Sequence, residues 1–276
     1  MTRIETVYVI TYCRRLDLLY GTTMVFNTIR VGFPDSAIVV IDNASLPEVR
    51  GILQGLADSI GAQFQQVSEV QKHHEILGGI FRMANGPFAI VDPDVMFWSR
   101  FDHAGSGSIE GRLIPTFQDP HSQCLTHKRL HTSLLKVPDP KGLRSAIEQF
   151  ASYFDFDPFA PTMFHRAGVW ERYDTLGSTY ALLEGSCHAF TDYELDHYDH
   201  LFCGSHVDMV AKTLGSFTDS FLDSHKAAQE NNFSKMKGIW RLQQLFFDAC
   251  AQKSTPSANP SVDHEVGGRQ LHGRTV

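Results

Sequence analysis

With 276 residues and 42% hydrophobic content, the chain can bury a large core in one or at most two compact domains. Its 24 Lys and Arg against 31 Asp and Glu give a formal net charge of −7, which disfavours field-driven binding to nucleic acid or an anionic membrane. No long apolar run of membrane-spanning length is present, and the polar start Met-Thr-Arg-Ile-Glu is unlike a signal peptide, so a soluble cytoplasmic protein without a transmembrane segment is expected. Five scattered cysteines (Cys13, Cys124, Cys187, Cys203 and Cys250) fit reduced thiols that pack as small residues.

In chain order, the β-branched and aromatic run Val7 to Tyr12 predicts a strand, followed by a helical pattern from about Leu16 to Ile29. Ala37 to Ile41 is a second continuous apolar run ending at Asp42-Asn43-Ala44-Ser45, and a helix is expected from Pro47 to about Ile60. A third strand, Gln63 to Val67, leads to a helix over 72–84 and then to the apolar strand Phe88 to Val91. Strands that alternate with helices in this way predict an open α/β sheet of mostly parallel strands with helices on both faces.

That last strand stops at Asp92-Pro93-Asp94. An unpaired carboxylate costs several kcal/mol to bury, on the order found for buried ions, so two of them one residue apart are expected at a solvent-facing corner, beside a partner or a metal ion. Pro93 lacks an N–H and stiffens the corner. Open α/β sheets bind ligands at this carboxyl end of their strands. No glycine occurs from Thr11 to Leu16, so neither a dinucleotide fingerprint nor a P-loop follows the first strand. A phosphate site here would rely on a metal or on side chains.

Val9-Ile10-Thr11-Tyr12-Cys13-Arg14, then Val40-Ile41-Asp42-Asn43-Ala44-Ser45, then Val91-Asp92-Pro93-Asp94 together resemble a GT-A-type nucleotide-sugar glycosyltransferase. The resemblance is carried by residues 5–100 and is loose beyond them. It implies a GT-A-like, Rossmann-type open twisted sheet in a single catalytic domain over 1–252, with a nucleotide-sugar-binding half at 1–100 and an acceptor-binding half at 101–252. It also implies transfer of a hexosyl or pentosyl group from a nucleoside-diphosphate sugar, with UDP-sugars favoured, to an acceptor hydroxyl. The acceptor stays open among saccharides, glycoconjugates and modified nucleobases.

The resemblance further implies Mn²⁺ or Mg²⁺ on the donor diphosphate, with Asp94 as direct ligand and Asp92 as ribose partner or supporting ligand; the two roles are exchangeable. A hard cation there neutralises the charge that develops on the leaving diphosphate. Thr11, Tyr12, Arg14 and Asp42 are expected to line the nucleotide, Tyr12 by stacking and Asp42 by accepting from a base N–H or ribose hydroxyl. The plain alternative for Asp42 is an Asx turn that caps the next helix.

The second half packs four acids and three histidines into Asp192 to His206. Their spacing matches no structural zinc template. A late histidine that completes the cation shell is implied by the resemblance, with His200 as the candidate and His197 and His206 as alternates. Ser99 to Gly111 reads as a glycine-bearing loop or lid, Asp139-Pro140-Lys141-Gly142 as a turn, and Leu143 to Tyr153 as a helix. Phe154 to Phe164 is read as a non-helical aromatic stretch, Phe233 to Gln252 as a helix, and 253–276 as a flexible tail. Two other readings are weighed: a nucleotidyltransferase acting on sugar phosphates, which usually carries a glycine-rich loop after the first strand, and a non-catalytic nucleotide-sugar-binding module.

Overall fold

The computed structural model describes residues 1–14, 19–118, 123–151 and 157–200, all within one compact unit. The helix expected over 233–252, the tail from 253, His206, Cys203 and Cys250 lie outside these residues.

The first half runs β1 (Thr6–Thr11), α1 (Leu19–Thr23), a 3-10 turn (Met24–Asn27), α2 (Ile29–Gly32), β2 (Ala37–Asp42), α3 (Pro47–Ser59), β3 (Gln63–Gln66), α4 (His73–Met83), β4 (Phe88–Val91) and β5 (Val95–Phe97). The helix expected from Leu16 to Ile29 is thus broken into short pieces, and its first residues, 16–18, lie outside the description. β-Branched Thr22, Thr23, Val25 and Thr28 are poor helix formers. Tertiary contacts hold the pieces: Thr28 Oγ1 accepts from Phe97 N at 3.0 Å, and Val25 N donates to Pro93 O at 2.9 Å.

The second half contributes β6 (Glu110–Ile114), β7 (Phe117–Gln118), β8 (Leu125–Thr126), β9 (Arg129–Val137), α5 (Pro140–Ala151), β10 (Thr162–Arg166), β11 (Val169–Tyr173), α6 (Gly177–Leu183), β12 (His188–Ala189), α7 (Asp192–Leu195) and β13 (Tyr198–His200). The central sheet has the order β12-β6-β9-β4-β1-β2-β3. β4, β1, β2 and β3 run parallel, while β9 is antiparallel to both its neighbours. A small sheet, β10-β11-β8-β7, stands apart. The fold is therefore mixed α/β with a mostly parallel central sheet.

Strand side chains alternate between two cores, as the period of two requires. Val7, Val9, Ile38, Val40, Ala89 and Val91 face α2 and α3 through Ile29, Val49 and Leu53. Ile10, Val39, Ile41, Phe88 and Ile90 face α4 and α5 through Leu77, Ile80, Phe81 and Ile147. Both faces are covered, which is why these strands read as unbroken apolar runs.

Two local expectations are corrected. Asp139 to Gly142 is the start of α5 rather than a free turn: Asp139 Oδ1 accepts from Gly142 N at 3.0 Å, with Pro140 at the first helical position. The supposed lid of Ser99 to Gly111 is tied down. Within it His103–Ala104 pairs with Thr2–Arg3, and Gly107 N donates to Glu110 Oε1 at 3.4 Å.

That Glu110 is fully buried, and its cross-strand partner on β9 is Lys136, 1% exposed. Lys136 Nζ donates to His103 O at 2.7 Å and lies 3.1 Å from the Phe101 ring centroid. Burial lowers the Lys136 pKa to about 8, with Glu110 opposing the shift, and burial raises the pKa of Glu110. Each charge is tolerable because of the other. Lys136→Met should cost about 3–5 kcal/mol by leaving Glu110 buried without its countercharge, and adding Glu110→Gln should recover most of that loss. Urea unfolding midpoints of the single and double variants measure both effects; a double variant no more stable than Lys136→Met would contradict this account.

Candidate metal centre

β4 ends as expected, and its exit is a tight turn: Val95 N donates to Asp92 O at 3.2 Å across Pro93 and Asp94, with Pro in the second turn position. Asp92 N donates in turn to Ser133 O at 2.7 Å, which ties the corner to β9. The corner is not solvent-facing. Asp94 is only 3% exposed and Asp92 is partly buried.

The chain then returns from a distant segment. β13 pairs antiparallel with β5, matching Tyr198 to Phe97, Asp199 to Met96 and His200 to Val95. Trp98 Nε1 donates to Asp199 Oδ2 at 2.7 Å, and Trp98 N to His197 O at 2.9 Å, which locks the register. This ladder delivers His200, 8% exposed, to the residue next to Asp94. His200 Nε2 lies 3.3 Å from Asp94 Oδ1.

One ligand atom from each of Asp92, Asp94 and His200 falls within 4.8 Å of the others. Donors sharing an ion at about 2.1 Å are at most about 4.2 Å apart, so small side-chain rotations close this group onto one cation. Two carboxylates and an imidazole suit a divalent first-row metal. The electrostatics point the same way. Burial first, and then Asp94, raises the Asp92 pKa to about 7, while His200 opposes the shift. Burial lowers the His200 pKa, but Asp94 and Asp92 overcome it and the net shift is upward. The group holds more negative charge than its surroundings tolerate, and a proton on His200 or a metal ion relieves it.

The remaining sequence candidates lie along the same sheet edge. Thr11 and Asp42 end β1 and β2 as register partners, and both are fully buried. Asp42 Oδ1 accepts from Ser45 N at 3.3 Å and its Oδ2 pairs with Arg50 Nε at 3.4 Å, the geometry of an Asx turn that introduces α3. Thr11 Oγ1 donates to Ile41 O at 3.4 Å; Tyr12 is half-buried and Arg14 exposed, with Nη1 donating to Ala44 O at 2.9 Å. His197 points elsewhere, bonding Ser99 and stacking on Phe101 at 5.3 Å.

Sequence reasoning missed His131, whose ring centroid is 5.0 Å from that of His200. Burial, then His200, Arg129 and Arg112, lower its pKa to about 3, with Asp94 opposing, so the ring is neutral. The available signal was His131-Thr132-Ser133, a polar interruption of an otherwise apolar strand.

No family model matches the sequence, and no curated protein matches it. Solved structures do. The mannosyltransferase PcManGT from Pyrobaculum calidifontis, solved with GDP-Man and Mn²⁺, is 14% identical with a TM-score of 0.43, covering 70% of this chain and 56% of its own. The glycosyltransferase GlyE of Streptococcus pneumoniae TIGR4 is 8% identical with a TM-score of 0.43, covering 69% and 46%. A nucleoside-diphosphate-sugar pyrophosphorylase from Vibrio cholerae RC9 is 11% identical with a TM-score of 0.40, covering 72% and 95%. The chain spans about half the length of the two glycosyltransferases. The overlap is loose, and the site is defined by the strand order and the Asp92, Asp94 and His200 group.

Because the folded-state pKa of Asp92 is raised above its ordinary 3.8, the folded protein binds the extra proton, and stability falls as pH climbs from about 4 through about 7. Without metal, Asp92→Asn should melt above the parent at pH 8, and the gap should close toward pH 4. Added Mn²⁺ should raise the melting temperature of the parent at pH 8 but not that of the variant. Differential scanning fluorimetry across pH, with and without Mn²⁺, checks both halves.

Proposed function

We propose that this protein is a divalent-metal-dependent glycosyltransferase of GT-A type, which moves a sugar from a nucleoside-diphosphate sugar to an acceptor hydroxyl. The observation that carries this reading is the Asp92, Asp94 and His200 group, lodged where β4 ends at the carboxyl edge of the parallel strands. Ligands of open α/β sheets bind at that edge. The absence of any glycine-rich phosphate loop after β1 leaves charge compensation to a cation.

In this reading Asp94 and His200 hold the ion from the two strands of one ladder, and Asp92 completes the anionic side. The cation, when bound, supplies Lewis-acid neutralisation of the diphosphate as the anomeric bond weakens. Its mixed oxygen and nitrogen ligands favour Mn²⁺ over Mg²⁺, which prefers oxygen. Thr11, Tyr12 and Arg14 border the nucleotide at the ends of β1 and the following loop. Asp42, buried against Ser45 and Arg50, acts by holding the shape of that border. The burial of Asp94 and His200 excludes water from the ion, which strengthens electrostatic stabilisation of the leaving group. The half from 101 onward is proposed to face the acceptor.

A thermal-shift screen of nucleoside-diphosphate sugars, UDP-sugars first, with and without Mn²⁺, tests the donor. A ligand at a hundredfold over its Kd should stabilise the protein by about 2.7 kcal/mol. Failure of every such donor to bind in the presence of Mn²⁺ would reject the reading, whereas pyrophosphate-dependent nucleotidyl exchange would favour a nucleotidyltransferase. Asp94→Ala and His200→Ala should each abolish Mn²⁺-dependent donor binding while the far-ultraviolet circular dichroism spectrum is retained. Full metal-dependent binding by either variant would remove that residue from the site.

A further inference from the structure

β9 does not run regularly past the metal centre. Its pairing with β6 matches Leu130 to Leu113 and resumes at Leu135 with Gly111, so four residues, His131 to Leu134, stand opposite the single Arg112. Such bulges release backbone groups from the ladder and re-aim side chains. Here the freed Ser133 N–H donates to His131 Nδ1 at 3.1 Å, and the Ser133 hydroxyl lies 2.8 Å from the same nitrogen. On the other edge of the same bulge, Ser133 O holds Asp92 N at 2.7 Å. One irregular turn of strand thus fastens the Asp92 corner and orients His131 beside His200.

The contact with Ser133 settles the chemistry of the ring. A backbone N–H can only donate, so His131 Nδ1 carries the lone pair and the proton of the neutral ring sits on Nε2. A nitrogen that bears a proton cannot ligate a metal, and the other is occupied by Ser133. His131 is therefore a hydrogen-bond donor at the centre and not another ligand. Its neighbourhood is cationic: Arg112 stands opposite the bulge, and Arg129 opens the strand. The Arg129 guanidinium pairs with Asp174 at 2.8 Å, but its buried Nε–H has no acceptor. Donors and positive charge on this side call for an anionic oxygen-rich group.

We propose that His131 is a substrate-binding residue that donates its Nε2–H to a diphosphate oxygen of the nucleotide at the metal centre, with Arg129 on the same anionic group. This rests on the donor reading above, and deepens it by assigning the β9 bulge as the wall of the site facing the phosphates. His131→Phe keeps a flat ring without the donor; His131→Gln keeps an N–H.

Mn²⁺ alone and Mn²⁺ with UDP, GDP or inorganic pyrophosphate would be titrated calorimetrically into the parent and both variants. His131→Phe should bind Mn²⁺ alone within about twofold of the parent and the diphosphates about tenfold or more weakly, the loss expected for a hydrogen bond to a charged group. His131→Gln should retain most of the diphosphate affinity. Equal diphosphate affinity in the parent and His131→Phe would overturn the inference alone, and a tenfold loss of Mn²⁺ binding would make His131 a ligand and overturn it too. A parent that binds no diphosphate with Mn²⁺ would overturn the donor reading along with it. Nitrogen-15 spectra of histidine-labelled parent at pH 7 test the tautomer without any substitution: His131 should be protonated at Nε2, and a proton on Nδ1 would overturn the assignment.

Discussion

Two carboxylates one residue apart, largely withdrawn from water, cannot both stay charged without compensation, and much of the structure around β4 serves that constraint. Mutual repulsion and burial hold Asp92 protonated to about neutral pH, and His200 is drawn toward its charged form by the same pair. Such an arrangement costs stability unless something positive arrives. The corner is braced accordingly from three sides: the 3-10 turn through Val25 and Pro93, β9 through Ser133 and Asp92, and β13 through its ladder with β5. Rigid bracing keeps the acids from relaxing away from each other, which preserves a concentrated negative site that a cation can enter.

The same logic of compensated burial recurs away from the centre, on the face that packs Phe101 and Phe190. Lys136 and Glu110 face one another across β9 and β6, with the lysine laid on the Phe101 ring. This pair joins the two strands that β12 extends, and so sets the position of the segment leading into α7 and β13. His188, paired in register with Glu110, also bonds Glu194 at 3.0 Å. The path from the charge pair to the segment that carries His200 is thus a series of short, specific contacts. Buried ionic groups of this kind add little net stability but discriminate sharply against wrong registers.

The bulge in β9 deserves its place beside these pairs because it links them. A regular antiparallel strand would have presented Arg112 opposite one residue and turned alternate side chains to opposite faces. Inserting extra residues there uncouples the register of β9 on its two edges, so that Leu134 still meets Val91 while His131 swings toward His200. Sheet regularity is given up at the point where side chains from three strands have to converge.

The order of elements through β4, the two-faced burial of its strands and the Asp92-Pro93-Asp94 exit were legible in the sequence. Each is written in local terms: runs of Val and Ile, a proline at a helix start, and acids where an apolar run stops. The second half was not legible as strands. β6, β9 and the β10–β11 pair alternate weakly, carry Lys, Glu and Arg, and owe their form to partners already in place. The turn at Asp139 became a helix start because Pro140 is favoured at the first helical position, a choice the tetrapeptide alone leaves open. His200 could be picked as a candidate by its residue type, yet its selection over His197 depended on antiparallel pairing with β5, since adjacent ladder positions send one ring to Asp94 and another to Phe101. His131 was hidden for the same reason. By itself the sequence determined where chemistry-bearing residues stand relative to local elements, because propensity and period act over a few residues. Which of them meet was decided by the tertiary structure, through long-range register and one bulge, because those depend on contacts between segments that no local pattern encodes.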